Sequence, residues 1–469
     1  MSLKDDTAVQ ASLIRRRSNE CAPAEPADTV TDRLNTLLQN SGPGYILKLC
    51  PEQTYFIQAP LAFGAANQEI STLGYPTGDQ RALLVVNGTI NDDGTGHTTA
   101  VDGTCLSCSG LKLRNVQIDG ARRGAPPVNG GGNIEMGGEN SDHLVEFVHS
   151  YDPRGWTCLH ISEGTLNCNN SVVQNNDIGP CGSDTFQEWA DGISMSCMNS
   201  IVRNNMIQGA TDGGIVVFGS PGTQVYNNTI WVLNHTLLGG INMVDYDPFN
   251  GDFSGTVVTN NTILGGFATD TEEPGEKLGN NFEGAIIKMG IAVGPRTWFG
   301  EKFGDNVSSS GVVTNNQFGG AFTYAIAVSS AVNFTIEENT LIGNTSFIGA
   351  RGPNCSDSDS PPTPAPFIVD PNNSDQMNLQ SNFQNIRDGD DLTCVLPPNG
   401  GDFWPFGDNP SNTTQPANPQ AGHHGLSPGA KAGIAIGVIL GVVLLGIATW
   451  FIRKWALKRA KLRQLTALK

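Results

Sequence analysis

Two acidic residues with similar surroundings lie in the middle of the sequence. Asp191 belongs to Trp-Ala-Asp-Gly-Ile and Asp212 belongs to Thr-Asp-Gly-Gly-Ile, 21 residues later. Two carboxyl groups held close together can act as general acid and as base or nucleophile in glycoside hydrolysis. Because Asp-Gly is also a common way to turn a chain, a purely structural role for both residues is the alternative.

Other polar and aromatic residues accompany this pair. An exposed Trp189 can stack on a sugar ring, and His160 points outward if Leu159 and Ile161 point inward. The alternatives are a buried turn aromatic and an ordinary surface histidine. The candidate catalytic residues are therefore Asp191, Asp212, Asp245, Glu188 and His160, and the candidate substrate contacts are Trp189, Asn242 and Asp247.

A repeat predicts how these residues are positioned. Six segments share a Val/Ile-x-Asn/Glu-Asn-x-apolar pattern, whose second Asn falls at 176, 205, 228, 261, 316 and 339. The period is near 23 residues, with insertions. Because Asn tolerates the left-handed conformation, this Asn is expected both to make a sharp turn and to stack in a ladder of amide hydrogen bonds.

Short apolar strands precede these turns, at 159–161, 192–195, 214–217, 240–243, 285–289 and 325–328. Two or three strands in each 23-residue unit predict an all-β fold, a parallel β-helix of about a dozen coils. A β-sandwich does not explain an Asn-Asn turn that returns at a fixed phase. Asp191 and Asp212 should then lie on neighbouring coils with backbones about 5 Å apart.

The composition sets the domain boundaries. We expect an unstructured segment at 1–25, a β-helix at 26–350 with a capping helix at 31–40, a covering tail and disordered stalk at 351–430, one transmembrane helix at 432–452 and a basic cytoplasmic tail at 453–469. The 21 uncharged residues at 432–452 are long enough to cross a bilayer, and Lys and Arg follow them. Gly433, Gly437 and Gly441 form a small-residue face that favours a helix-mediated homodimer.

The charge and the cysteines bear on partners and location. A net charge of −18 disfavours nucleic acid as a partner. Ten cysteines precede residue 432, so disulfides are expected, with 158–168, 181–197 and 355–394 as local guesses; zinc at Cys105 and Cys108 is the alternative. No apolar leader is visible near Met1, so either the given start misses a signal peptide that the protein has, or the chain is tail-anchored with residues 1–430 in the cytosol; we expect the former. We favour an extracellular or lumenal location on a plasma or secretory-pathway membrane. N-glycosylation signals supporting that location begin at Asn87, Asn169, Asn227, Asn234, Asn260, Asn306, Asn333, Asn344, Asn354, Asn372 and Asn412.

Residues 26–350 resemble the right-handed parallel β-helix proteins of the pectin-lyase-like superfamily, in a fungal, membrane-anchored style. The pattern around Asp191 and Asp212 is similar to the Asn-Thr-Asp-Gly and Asp-Asp motifs of polygalacturonases. The Gly-His-Gly and Arg-Ile-Lys motifs of that family are missing, and His235 stands in Asn-His-Thr instead. The missing cations argue against a polyuronate substrate, for which Ca²⁺ would be needed; otherwise no cofactor is expected.

These observations predict a cell-surface protein that hydrolyses a neutral or weakly charged cell-wall polysaccharide with paired carboxylates. One alternative is a non-catalytic polysaccharide-binding or adhesion module on a stalk. A second alternative is a polyuronate lyase or epimerase.

Overall fold

The computed structural model describes residues 20–183, 188–232, 236–266, 286–347, 365–389 and 392. Almost all of these residues belong to coils of short parallel strands, and each coil passes in turn through three rows that we call the first, second and third rows. The described chain is therefore a parallel β-helix, as the repeat predicts. The right-handed winding stays a prediction.

The first row is an eleven-stranded sheet that lies just before the Asn-Asn turns. Its strands are Ile46–Leu49, Glu69–Thr72, Lys112–Arg114, Leu144–Glu146, Val172–Gln174, Ile201–Arg203, Gln224–Tyr226, Val257–Thr259, Val312–Thr314, Thr335–Glu337 and Asn378–Leu379.

The second and third rows form one sheet, because the long strand Gln317–Val328 belongs to both. The second row contains Thr54–Ile57, Ala82–Val86, Val116–Asp119, His149–Tyr151, Asp177–Ile178, Met206–Gln208, Thr229–Trp231, Thr262–Leu264, the start of Gln317–Val328, and Thr340–Phe347. The third row contains Leu61–Ala62, Val101–Gly103, Ile134–Gly137, Thr157–Ser162, Asp191–Met195, Gly213–Val217, Leu237–Met243, Ile287–Val293, the end of Gln317–Val328, Phe367–Val369 and Gln384–Asn385. A small separate sheet joins Ser308–Ser309, Ala331–Val332 and Ser374–Asp375.

The predicted ladder of asparagines runs along the turn between the first and second rows. Each Nδ2 of Asn176, Asn205, Asn228, Asn261 and Asn316 donates to the Oδ1 of the next ladder residue at 2.9–3.0 Å, ending at Asn339. The left-handed residue is the one before, with φ of 54–56° at Asn175, Asn204, Asn227, Asn260 and Asn315. The expectation that one Asn does both is therefore wrong. Turning and stacking need different backbone conformations, so the first Asn of each pair makes the turn and the second Asn stacks.

Apolar side chains fill the inside of the coils in one continuous core. A helix at Val30–Asn40, preceded by a 3-10 turn at Ala27–Thr29, covers the first coil with Val30, Leu34 and Leu38. This confirms the predicted cap. Further along the chain, a short helix at Arg296–Phe299 continues into a 3-10 turn at Gly300–Phe303.

Four disulfides join cysteines of the described residues. Cys158 pairs with Cys181 and Cys168 pairs with Cys197, so the guesses 158–168 and 181–197 are wrong. The cysteines of each guessed pair do not bond to each other, because their side chains point in different directions from the coil. In the two pairs that form, the Cα atoms lie 6.1 and 4.8 Å apart. Cys105 and Cys108 are bonded to each other rather than to zinc, and Cys21 is bonded to Cys50. The remaining guess, 355–394, lies outside the described residues.

Two expected boundaries differ from the structure. Residues 20–25 are not unstructured, because Cys21 is disulfide-bonded and Ala22 pairs with Leu49. The coils also continue beyond residue 350, since Phe367–Val369 pairs with the end of Gln317–Val328. No helix among the described residues is long and apolar enough to cross a membrane. The predicted transmembrane helix at 432–452 and the tail after it lie outside the described residues.

Candidate active site

Two columns of side chains line the outer face of the third row. The first column runs through Thr157, Asp191, Gly213, Gly239, Met289 and Tyr324, and the second through His160, Ser194, Val216, Asn242, Ala292 and Ala327. Members of the two columns on one coil are three residues apart. They complement each other in size, because Val216 and Asn242 pack over glycines, whereas Ala292 and Ala327 stand beside Met289 and Tyr324.

The two ends of this face differ in chemistry. At the later coils it is apolar: Met289, Tyr324 and Ile368 belong to a second buried cluster, against which Trp298 and Phe299 pack. Residues from 365 onward, such as Ile386, help to cover this cluster. The polar part of the face is limited to the earlier coils, where the predicted acids lie.

Asp191 is the buried acid of this region, with only 5% of its surface exposed. Its Oδ1 accepts a hydrogen bond from the Gly213 backbone at 2.9 Å, and its Oδ2 accepts one from Ser194 Oγ at 2.9 Å. A Cβ at Gly213 would lie 3.0 Å from Asp191 Oδ1 and 3.0 Å from Asn242 Nδ2. Gly213 therefore lies between the Asp191 and Asn242 side chains, and Asp191 Oδ1 is within about 6 Å of Asn242 Nδ2.

Asp212 and Asp245 come from the next two coils and are partly exposed. The Asp212 carbonyl accepts the Gly239 N–H at 2.8 Å, which places Asp212 beside the strand that leads to Asp245. Burial raises the pKa of Asp212 to about 6. Burial, followed by the charge of Asp212, raises the pKa of Asp245 to about 7, with Lys302 acting in the opposite direction. Burial and then the charge of Asp212 also raise the pKa of Asp191.

The charge of Asp212 thus acts on both Asp191 and Asp245. Two acids that titrate near neutral pH can respectively donate and accept a proton under the same conditions. No three His, Cys, Asp or Glu side chains of the described residues come together in an arrangement that could hold a metal ion. The raised pKa values of Asp191, Asp212 and Asp245 suit proton transfer.

The other predicted site residues have different surroundings. Glu188 forms an ion pair with Arg122 at 2.9 Å and accepts Ser183 Oγ, so its carboxylate is already engaged. Trp189 is partly exposed, and its backbone pairs with Gly182. Asn242 is 2% exposed, and its Oδ1 has no hydrogen-bond partner among the residues that the structure describes. Asp247 is exposed, two residues beyond Asp245.

His160 lies one coil before Asp191, and its backbone is paired with Ser194. Its Nδ1 contacts Glu135 Oε2 at 2.7 Å, and its ring meets Trp156 edge-on, with the centroids 4.9 Å apart. The sequence reasoning missed Glu135 and Trp156. A signal was present for Trp156, which directly precedes the strand Thr157–Ser162, whereas Glu135 reaches His160 only through the pairing of coils.

Comparisons with known proteins give similarity in structure only. No protein-family model matches the chain, and no curated protein matches it. DFA-IIIase from Arthrobacter chlorophenolicus A6, solved in complex with GF2, is 14% identical over 77% of this chain and 92% of that one, with a TM-score of 0.43. The Streptococcus pneumoniae surface protein and adhesin PfbA is 12% identical over 70% of this chain and 97% of that one, with a TM-score of 0.37. The Agl-KA catalytic domain is 12% identical over 78% of this chain and 68% of that one, with a TM-score of 0.41.

Proposed function

We propose that this protein hydrolyses glycosidic bonds in a neutral or weakly charged polysaccharide, of the kind found in cell walls. The observation that supports this proposal is that Asp191, Asp212 and Asp245 come from successive coils and that the charge of Asp212 raises the pKa of the other two. Long ligands fit the side of a β-helix because the coils repeat along it. Paired carboxyl groups are what most glycoside hydrolases use.

The pKa and the burial of each acid suggest its role. Asp245, whose pKa is raised to about 7, is the proposed general acid that protonates the leaving oxygen. Asp212, whose pKa is about 6, is the ionised partner that activates water or attacks the sugar. Asp191 was a catalytic candidate in the sequence, but its burial and its two hydrogen bonds make it a positioning residue in this proposal. Both active forms coexist best between pH about 6 and about 7.

The cations near the site have other partners, which supports an uncharged substrate. Arg122 is bonded to Glu188, and Lys302 Nζ lies over the rings of Phe299 and Phe303 at 4.5 and 4.8 Å. With a net charge of −18, the chain would also repel a polyanion. The proposed reaction requires the carboxyl groups and water, and no cofactor. A polyuronate would require Ca²⁺ to offset the repulsion.

We propose that residues 432–452 anchor the protein in a membrane and that the β-helix lies outside the cell. Four disulfides are consistent with an oxidising compartment. The glycosylation signals at Asn234, Asn354 and Asn412 lie outside the described residues. All signals that the structure describes have an exposed asparagine, namely Asn87, Asn169, Asn227, Asn260, Asn306, Asn333, Asn344 and Asn372.

The proposed activity is tested by incubating the full-length protein with β-glucans, mannans, xylans and galacturonans and measuring new reducing ends. We expect release from a neutral polymer and none from galacturonan. Binding without cleavage of any polymer would favour the adhesion module instead. Unsaturated ends from galacturonan would favour the lyase.

A further inference from the structure

An exposed tryptophan lies on the coil next to that of Asp191. Trp156 has 37% of its surface exposed, although large aromatic side chains are usually more buried. Its carbonyl accepts the backbone N–H of Asp191 at 2.9 Å, so its coil is the direct neighbour of the one that carries Asp191. Its ring is fixed from one side by the edge-on contact with His160, at an interplanar angle of 67°.

His160 is held in one orientation by Glu135. The carboxylate can only accept, so Nδ1 of His160 carries the proton in the 2.7 Å contact with Glu135 Oε2. The other Glu135 oxygen accepts the Gly132 N–H at 2.6 Å, which fixes the carboxylate in turn. The side chains of His160 and Glu135 are 15% and 17% exposed, so the pair is fixed in position but still accessible to solvent. Nε2 of His160 has no hydrogen bond within the described part of the chain.

An aromatic face beside a fixed polar atom is the arrangement that binds a sugar ring. The apolar face of the sugar packs on the aromatic ring, and the hydroxyl groups at its edge need hydrogen-bond partners. We propose that Trp156 and His160 form a sugar-binding subsite for the substrate of the adjacent carboxyl groups. Trp156 supplies the stacking platform, and His160 Nε2 forms a hydrogen bond with a sugar hydroxyl.

The position of the subsite sets the direction of the substrate. Trp156, Asp191 and Asp212 come from three successive coils, so the subsite and Asp212 lie about 10 Å apart along the coil axis at about 4.8 Å a coil. The substrate therefore runs along the axis, and only a chain of several sugars reaches both positions. This inference rests on the proposed function, because it takes the carboxyl groups as the point of cleavage.

Direct binding measurements test the subsite separately from catalysis. Cellohexaose, laminarihexaose and mannohexaose, with the matching disaccharides, are titrated calorimetrically into full-length D245N, which leaves the probe intact. In that background, Trp156→Ala should weaken hexasaccharide binding about tenfold or more. The disaccharide, which can bind at the carboxyl groups alone, should be affected less. Phe56→Ala is the matched control, because Phe56 is an exposed aromatic residue on the second row.

The outcomes separate the two proposals. Weaker hexasaccharide binding by W156A, with an unchanged melting temperature, supports the subsite even if the wild type cleaves nothing. His160→Ala should reduce the same affinity several-fold and gives a second reading if W156A fails to fold. Unchanged hexasaccharide affinity in the folded variants overturns the subsite, and so does the absence of binding of all three hexasaccharides to D245N. Failure of the proposed function would instead show as binding without new reducing ends in the wild type.

Discussion

At the scale of single residues, the carboxyl groups are placed where an uncharged side chain would be more stable. Burial and the charge of Asp212 hold the pKa of Asp245 at about 7, well above that of an exposed aspartate. The folded state therefore keeps the Asp245 proton up to about pH 7, whereas the unfolded chain releases it near pH 4. The stability contributed by this group falls as the pH rises between those two values. Carboxyl groups whose raised pKa lowers folding stability in this way are common at catalytic sites.

Replacing Asp245 with Asn should remove that cost. At pH 8, D245N should be more stable than the wild type by about 1–3 kcal/mol, because Asn cannot ionise. At pH 4 the two proteins should match, since Asp245 is then protonated in both the folded and the unfolded state. Urea unfolding at the two pH values gives the measurement. The control is D142N at an exposed position with φ of 66°, which Asn suits, and it should show no such difference. A D245N protein no more stable than wild type at pH 8 would contradict the assigned burial.

At the scale of elements, the asparagine ladder is what keeps the coils in register. Asn205 illustrates the role: its Oδ1 accepts from both the backbone N and the Nδ2 of Asn176, at 3.1 and 2.9 Å, and its Nδ2 donates to Asn228. Asn205 is fully buried, so truncation leaves several polar groups without partners. Asn204, its neighbour, is exposed and only turns the chain.

Asn205→Ala should therefore lower the free energy of unfolding by about 2–4 kcal/mol, as the loss of several buried hydrogen bonds implies. Asn204→Gly should change it by less than about 1 kcal/mol, because glycine adopts the same left-handed conformation. The measurement is denaturant unfolding of both variants beside the wild type. Equal effects at the two positions would show that turning and stacking are not divided as described.

The repeat explains why so much of the fold could be predicted. Strand, turn and ladder positions recur at a fixed phase, so the Asn at 205 or 228 identifies its coil from sequence alone. Contacts between side chains of different coils have no such recurring pattern in the sequence. The pairing of Cys158 with Cys181 depends on which way each side chain points, and Glu135 meets His160 only because their strands are paired. The predicted nearness of Asp191 to Asp212 needed only the repeat length, whereas the burial that separates their roles needed the packing of both columns.

At the scale of the whole molecule, the described coils carry both the carboxyl groups and exposed glycosylation signals. Two of the exposed glycosylation signals, at Asn227 and Asn260, lie on the turn between the first and second rows, away from the outer face of the third row. Glycans there would leave the carboxyl groups accessible. Their presence depends on the proposed location outside the cell.

Protein isolated from its native host should lose many kilodaltons of apparent mass when an enzyme removes N-glycans. The exposure of every described signal makes each of them available for modification. Gel mobility before and after treatment is the measurement, and protein made in a bacterial cytosol is the control. Unchanged mobility of the native protein would favour the tail-anchored topology and remove the extracellular function.

The central claim is that Asp212 and Asp245 carry out proton transfer in glycoside cleavage. The most direct test is the turnover of the wild type, D212N and D245N on the polysaccharide that the wild type cleaves best, with D142N as the carboxylate control. We predict a fall in kcat of about 10²-fold or more in each of the two site variants, with near-wild-type kcat in D142N and oligosaccharide binding retained in all of them. Wild-type turnover in either D212N or D245N would contradict the claim.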